Sequence, residues 1–305
     1  MTARCAAIDV GTNTVKLTVA EADGTGAFRA LVDTSTTTRL GEGIHAGRLR
    51  EAAIRRTLDA IAAYAATCRE HGARRIAAVG TSALRDAVNG VDFVRRAAEH
   101  GVAVEPIGGD EEARLSFLAV RRDQRWRDAG PLLVVDIGGG STELILGDGA
   151  GPVARVSLQL GAVRLTEAFL RGDPPTVVEI DVASRAAEEA IARSGVSADG
   201  SLTAVGVGGT FTNLGAVQAG EARPSFESIH GRVLALADVE DQAALFAGLT
   251  VEQRKQVTGL DPMRADIILA GAIIAIRAMS AFGQERIAVS CRGLRWGLLY
   301  DRFGT

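Results

Sequence analysis

Only three cysteines, Cys5, Cys68 and Cys291, occur in the 305 residues, and they lie far apart. An odd, scattered set excludes a disulfide scaffold and a zinc knuckle. Four histidines, equally scattered, add no metal-binding cluster. No apolar run reaches the roughly 18 residues that cross a bilayer. The opening Met1-Thr2-Ala3-Arg4 runs into an apolar stretch that soon meets Asp9 and Gly11, which is unlike a signal peptide. Neither sign of charge dominates: 34 Lys and Arg against 37 Asp and Glu leave −3. The balance gives no global attraction to nucleic acid, although a local basic groove is invisible to net charge. Both familiar nucleotide signatures are missing. The glycine turns do not follow G-x-G-x-x-G at a helix start, and G-x-x-x-x-G-K-[ST] is absent, which disfavours Rossmann and P-loop sites. These absences leave a cytoplasmic enzyme or binding protein in a reducing compartment, with neither a membrane nor a nucleic acid as partner.

What the chain does have is glycine, 36 residues against 7 prolines, a sign of tight turns inside regular structure. With 47% hydrophobic and 23% charged residues it is globular, and its length suits one large domain or two ordinary ones. Residues 4–10 form a short apolar run with β-branched members, a buried strand ended by Gly11. Residues 15–21 alternate and supply its hairpin partner. Ile54, Leu58, Ile61, Ala65 and Cys68 recur at spacings of three and four, predicting an amphipathic helix over 51–70. A strand at 76–79, a helix at 91–100, a strand at 102–107 and a helix at 111–121 follow. Such alternation argues an α/β layer fold.

The opening pattern then returns. Residues 132–137 read as a strand, Gly138-Gly139-Gly140 as a turn and 142–146 as a second strand. Asp9 and Asp136 each stand at a strand end before a glycine turn rich in hydroxyl or amide groups. They lie 127 residues apart, about one domain, so the chain reads as two related lobes, 1–126 and 127–305. A third glycine turn, Gly208-Gly209-Thr210, follows the strand-like 203–207. Residues 264–281 predict a strongly apolar helix, 287–290 a strand and 293–303 a final helix. The best boundary segment is 122–131.

Turns without Cβ atoms let backbone N–H groups approach an anion closely. Hydroxyls of Thr12, Ser141, Thr142 and Thr210 would add donors, and Asp9 and Asp136 offer oxygen ligands suited to Mg²⁺. Two such hairpins would clamp a phosphate chain, whereas one alone is more often an ordinary hairpin. Glu111-Glu112 opens a helix; the pair either complements the helix dipole or includes a general base. Glu143, on the second hairpin strand, is either a solvent-facing acid or sits near the same phosphate. Arg85, just past a strand, is placed to take a phosphate bidentately or lies on the surface. Arg39, Arg264, Arg292 and Arg295 are lesser candidates for lining a polyanion path. The basic run at 121–127 reads as a solvated boundary, and His230 and Cys291 as packing residues. Ser141 has no evident His/Asp partner, so a serine hydrolase is disfavoured.

Five motifs in order carry a resemblance over nearly the whole chain. They are Ala7-Ile8-Asp9-Val10-Gly11-Thr12-Asn13-Thr14, Gly80-Thr81-Ser82-Ala83-Leu84-Arg85-Asp86-Ala87, Gly109-Asp110-Glu111-Glu112-Ala113-Arg114-Leu115, Val135-Asp136-Ile137-Gly138-Gly139-Gly140-Ser141-Thr142-Glu143, and Arg292-Gly293-Leu294-Arg295 with Gly297. The chain resembles the exopolyphosphatase / guanosine pentaphosphate phosphatase (Ppx/GppA) family, within the actin-like, sugar-kinase and heat-shock ATPase superfamily. The resemblance implies an α/β fold of two actin-like, ribonuclease H-like lobes with the active site in the cleft between them, the final helix packing back on the first lobe. It implies Glu112 as catalytic base, Glu143 assisting at water or metal, and Asp9, Asp136 and Glu143 at a Mg²⁺ (or Mn²⁺) site. By the same carry-over, Gly11, Thr12, Asn13, Thr14, Gly138, Gly139, Gly140, Ser141 and Thr142 bind phosphate and Arg85 holds it; Arg39, Arg264 and Arg295 join the substrate-binding set as the lesser candidates. Gly208, Gly209 and Thr210 sit where superfamily members approach a nucleoside or a distal phosphate.

The implied reaction is Mg²⁺-dependent release of orthophosphate from the end of linear polyphosphate by a cytoplasmic homodimer. The alternative within the family is conversion of guanosine pentaphosphate (pppGpp) to the tetraphosphate (ppGpp). Outside it stand an actin-like ATPase or sugar kinase, and a non-catalytic polyphosphate or alarmone sensor. The chain resembles the short type, without the helical domain credited with gripping long chains. Trp296 stands where many relatives carry an acid, a place expected at the rim of the site.

Overall fold

In a computed structural model, the structure describes residues 4–24, 26–197 and 200–304. The expectation about the opening residues 1–3 lies outside them. The chain divides into two compact units, one running to Asp123 and resuming at Arg292, the other comprising Gln124–Cys291. The division at 123/124 lies beside the boundary expected at 126/127. The second unit, however, ends at Cys291 and not at the expected 305, because the segment from Arg292 on clusters with the first unit, where the final helix packs.

The first unit contains β1 (Arg4–Val10), β2 (Thr14–Ala22), β3 (Phe28–Thr37), α1 (Glu51–Glu70), β4 (Arg75–Gly80), α2 (Ser82–Asp86), α3 (Gly90–Glu99), β5 (Val104–Pro106) and α4 (Gly109–Arg121). Its sheet has the order β3-β2-β1-β4-β5. The hairpin strands β1, β2 and β3 are antiparallel, while β1, β4 and β5 run parallel. β1 is buried on both faces, which is why it reads as a continuous apolar run and not an alternating one. Ala6, Ile8 and Val10 enter the core beneath α1 and α3. Cys5 and Ala7 face the opposite core with Leu115 and Ala119 of α4. The C-terminal helix, Leu294–Phe303, completes that second core with Leu294, Trp296, Leu298, Leu299 and Tyr300. It crosses α4 so closely that a Cβ at Gly297 would stand 1.9 Å from the Leu115 carbonyl oxygen.

The second unit contains β6 (Leu132–Ile137), β7 (Thr142–Asp148), β8 (Gly151–Leu158), α5 (Ala162–Phe169), α6 (Val177–Ala192), β9 (Thr203–Val207), α7 (Gly208–Ala219), α8 (Phe226–Ile229), β10 (Val233–Ala235), α9 (Leu236–Ala247), α10 (Val251–Arg254), α11 (Ile268–Ala281) and β11 (Arg286–Val289). Its sheet order is β10-β11-β9-β6-β7-β8. With β10 set aside as an extra edge, strand order and directions repeat those of the first unit. The duplication inferred from two Asp-x-Gly turns is therefore a duplication of whole sheets.

Three expectations are corrected. The third glycine turn, expected as a turn after a strand, is the opening of a helix: β9 passes directly into α7, Gly208 taking φ +94° at the junction. Thr212 Oγ1 and Asn213 Nδ2 donate back to the Gly208 and Gly209 carbonyls, closing the first helical turn. The helix expected over 264–281 begins at Ile268, because Pro262–Arg264 forms a separate 3₁₀ turn after Asp261, whose carboxylate accepts from Met263 N–H at 2.9 Å. The 121–127 run is not wholly solvated, since Trp126 is buried edge-on against His230.

Candidate active site

In each sheet the expected residues gather at the carboxyl ends of the parallel strands, where open α/β sheets bind ligands. The first unit joins three such ends: Thr81 N–H donates to the Val10 carbonyl at 3.2 Å, and Ile107 N–H to the Gly80 carbonyl at 2.9 Å. The Gly11–Thr14 turn follows the first end, Arg85 on α2 the second, and Glu112 on α4 the third.

The Gly11 turn is held from one side. Gly11 N–H donates to the Thr14 carbonyl at 3.1 Å. The Thr12 carbonyl accepts from Gly41 N–H at 2.7 Å, and the Asn13 carbonyl from Thr38 and Arg39 N–H at 3.0 and 2.9 Å. The close approach needs glycine at 41, where a Cβ would stand 2.2 Å from the Thr12 methyl. Arg39 takes φ +52°, in the left-handed region. With the carbonyls engaged, no backbone carbonyl among the described residues accepts from Thr12 or Asn13 N–H, which suits them to an anion.

Asp9 is buried, and the register sets Lys16 directly opposite, Nζ 3.7 Å from the carboxylate. Burial pushes the Asp9 carboxyl up, against the opposing pull of Lys16 and Arg295. Arg295 is engaged within the first unit: its Nε donates to Thr18 Oγ1 at 2.7 Å and its Nη2 to Asp33. Trp296, expected at a rim, is buried, its Nε1 donating to Asp33 at 3.2 Å and its ring lying under the Arg292 guanidinium.

The two acids that open α4 part company. Glu111 binds Arg114 through two hydrogen bonds of 2.7 and 2.8 Å, and Arg114 also reaches Asp301. Glu112 is buried and accepts from Arg85 Nη1 at 3.3 Å. Arg85 is not in a turn, as expected, but on the short helix α2, where it also donates to the Ile107 carbonyl and approaches Asp86. The candidate base and the candidate phosphate ligand thus stand together.

The second unit repeats the scheme with different residues. Gly138 N–H donates to the Ser141 carbonyl at 3.0 Å. The first turn of α5 then takes up the glycine carbonyls: Ala162 N–H binds Gly138 at 3.0 Å, Val163 N–H binds Gly139 at 2.9 Å, and Arg164 Nε binds Gly140 at 3.0 Å. A Cβ at Gly161 would meet the Gly139 carbonyl group at 2.4 Å. Among the described residues no backbone carbonyl accepts from Gly139, Gly140 or Ser141 N–H. Thr142 Oγ1 donates to the Leu160 carbonyl, so that hydroxyl serves the fold.

Asp136 and Glu143 face each other across β6 and β7, and Glu143 accepts from Ser157 Oγ at 2.7 Å. The start of α7 abuts Asp136, since a Cβ at Gly208 would stand 2.8 Å from Asp136 Oδ1. Arg264 covers Gly209, its guanidinium 2.1–2.2 Å from where a Cβ would be. Burial pulls the Arg264 pKa down, opposed by Asp261 and Asp266. Thr210 is buried, its hydroxyl packed on Gly271 of α11. The second unit therefore assembles Asp136, Glu143, Gly138–Thr142, Gly208, Gly209 and Arg264. The first assembles Asp9, Gly11–Thr14, Arg39, Arg85 and Glu112.

Lys16, Gly41, Ser157, Gly161 and Arg164 escaped the sequence reading. Lys16 and Ser157 needed strand register, and the two glycines serve close contacts between segments distant in sequence. No group of three or more His, Cys, Asp or Glu suited to a metal occurs among the described residues. Mg²⁺ needs only one or two carboxylates when waters and substrate phosphates complete its shell, so the opposed pair Asp136 and Glu143 fits it. Asp9 fits less well, having the Lys16 ammonium beside it.

Two sheets of one repeated topology, with glycine turns and acids at the carboxyl ends of their parallel strands, define the actin-like α/β class of phosphate-handling enzymes. A family model, the Ppx/GppA phosphatase family, matches residues 18–305, and the chain belongs to that family of hydrolases. It is 39% identical over 283 residues to Exopolyphosphatase 2 of Mycobacterium tuberculosis, covering 89% of this chain and 88% of that one. The Aquifex aeolicus PPX-GPPA enzyme superposes with a TM-score of 0.82 at 33% identity, covering 99% of this chain and 100% of that one. An exopolyphosphatase from Cytophaga hutchinsonii gives a TM-score of 0.85 at 27% identity, covering 98% and 97%. Among the described residues no helix is long and apolar enough to cross a membrane.

Proposed function

We propose that the chain is an exopolyphosphatase, hydrolysing the terminal phosphoanhydride of linear inorganic polyphosphate and releasing orthophosphate. The observation that carries this reading is the separation of Glu111 from Glu112. One is committed to Arg114, and the other is buried beside Arg85 at the end of β5. Relatives named exopolyphosphatase, 33–39% identical over most of their length, point the same way.

Phosphoryl transfer mainly requires positioning and charge neutralisation. In the first unit the Arg85 guanidinium and the N–H groups of the Gly11–Thr14 turn suit substrate phosphate, and in the second the N–H groups of the Gly138–Ser141 turn do. Glu112 orients the attacking water and takes its proton as the new P–O bond forms. The shortened chain leaves with the electron pair of the broken bond. Asp136 and Glu143 would hold Mg²⁺, or Mn²⁺ in its place; Asp9, on the first unit, is the weakest of the metal candidates. The ion, when bound, neutralises charge on the substrate oxygens. A cytoplasmic homodimer belongs to the same reading.

General-base catalysis contributes roughly 10²–10⁴-fold, so Glu112→Ala lowers kcat by about that factor with KM little changed. Phosphate release from polyphosphate checks it, and unchanged turnover removes Glu112 from the mechanism. Guanosine pentaphosphate offered in competition is the poorer substrate; the reverse preference would reassign the chain to the alarmone reaction.

A further inference from the structure

We infer that Ser157 is a positioning residue for Glu143, an inference that rests on the function proposed above. Three residues form a row across three antiparallel strands: Asp136 on β6 pairs with Glu143 on β7, and Glu143 pairs with Ser157 on β8. On β8, Ala154, Val156 and Leu158 pack against the core of the unit, so Ser157 points from the other face of the sheet. There its hydroxyl donates to Glu143 Oε1 at 2.7 Å.

Glu143 is 1% exposed, and its row neighbour on the other side is a second carboxylate. Like charges directly opposite each other in a sheet repel. A carboxylate also turns easily about its last torsion, whose energy profile is broad and twofold. An O–H donor held by the β8 ladder opposes both tendencies. It favours the ionised acid with a charge-assisted bond, and fixing one oxygen fixes the direction of the other. Ser157 thereby presents Glu143 in one orientation to water or to a divalent cation, without touching the substrate. A shift of one residue in β8 would bring Val156 or Leu158 to this place and lose the donor.

The test compares Ser157→Ala with Ser157→Thr, which keeps the hydroxyl on a residue suited to strands. Steady-state phosphate release from polyphosphate is measured beside Mn²⁺ binding to the free enzyme by electron paramagnetic resonance. Losing one hydrogen bond to a charged group lowers kcat about tenfold in Ser157→Ala, with KM within about twofold. Mn²⁺ binds that variant several-fold more weakly, and Ser157→Thr stays near wild type in both measurements. Equal losses in the two variants, a change in KM alone, or wild-type Mn²⁺ affinity in Ser157→Ala would overturn the inference. If the wild type releases no phosphate, the proposed function falls, and the Mn²⁺ titration decides the role of Ser157 by itself.

Discussion

The two hairpins share a scaffold and differ in one charge. In the first, the row across the strands is Asp9, Lys16, Ser35. In the second it is Asp136, Glu143, Ser157. Acid and serine recur at matching places, while the middle residue changes from an ammonium to a carboxylate. Asp9 therefore faces an ammonium across its hairpin, whereas Asp136 faces a second carboxylate across its own. The clamps differ too. A looped segment, 38–41, holds the carbonyls of the first turn, and the opening of helix α5 holds those of the second. One duplicated frame thus sets an acid against an ammonium in one hairpin and against a second acid in the other.

The comparison is broken most sharply at its middle position. Glu143→Gln removes the like-charge repulsion and leaves an amide where the cation is wanted. Turnover falls about 10²-fold while stability rises by about 1 kcal/mol. Phosphate release and urea unfolding on the same preparation check both signs. A fall in stability would show that the two acids are already reconciled by other groups.

The clamps give the next effect. At Gly161 an added methyl meets backbone, which cannot turn aside, whereas at Gly41 it meets the Thr12 methyl, which can rotate. Gly161→Ala costs about 3 kcal/mol and Gly41→Ala about 1 kcal/mol, within the range for overpacking. Thermal unfolding of the two variants ranks them, and equal losses would mean that the first turn is as rigid as the second.

The smallest effect concerns Asp9. Burial raises its carboxyl pKa, so the folded chain binds that proton more tightly than the unfolded chain. The stability tied to this proton is complete below the unfolded carboxyl value and is lost as pH rises through the raised folded one. Asn carries no such charge. Asp9→Asn should melt a few degrees above wild type at neutral pH, the gap closing below about pH 4. A lower melting temperature at pH 7 would mean that Lys16 outweighs burial.

The fold was legible where strands are interior. β1 and β6 show apolar runs because both faces are covered, and the helix α1 shows its stripe. The edge strands β3 and β8 were missed: β3 is largely exposed and reads Asp-Thr-Ser-Thr-Thr at its end, leaving no alternation to see. Missing β8 hid Ser157 and the Gly161–Arg164 clamp behind it. The residues alone left Glu111 and Glu112 open, and only the resemblance picked Glu112; the physical distinction depends on Arg114 lying one turn along α4 and Arg85 arriving from another element. Trp296 misled for a similar reason. Its neighbour Arg292 and its acceptor Asp33 are distant or polar in sequence, yet together they bury it.

The first unit is assembled from both ends of the described chain, and the second from one continuous stretch. On the ribosome the order of completion is therefore inverted. Residues 124–291 can close their core as soon as they emerge, whereas the earlier-made first unit must wait for residues 292–303. Until then the face carrying Cys5, Ala7, Leu115 and Ala119 lacks Trp296, Leu298, Leu299 and Tyr300. Each of those large side chains is worth about 1.5–3 kcal/mol on burial. Their sum is comparable to the whole stability of a domain. During synthesis that apolar face stays open until residues 294–303 arrive to cover it.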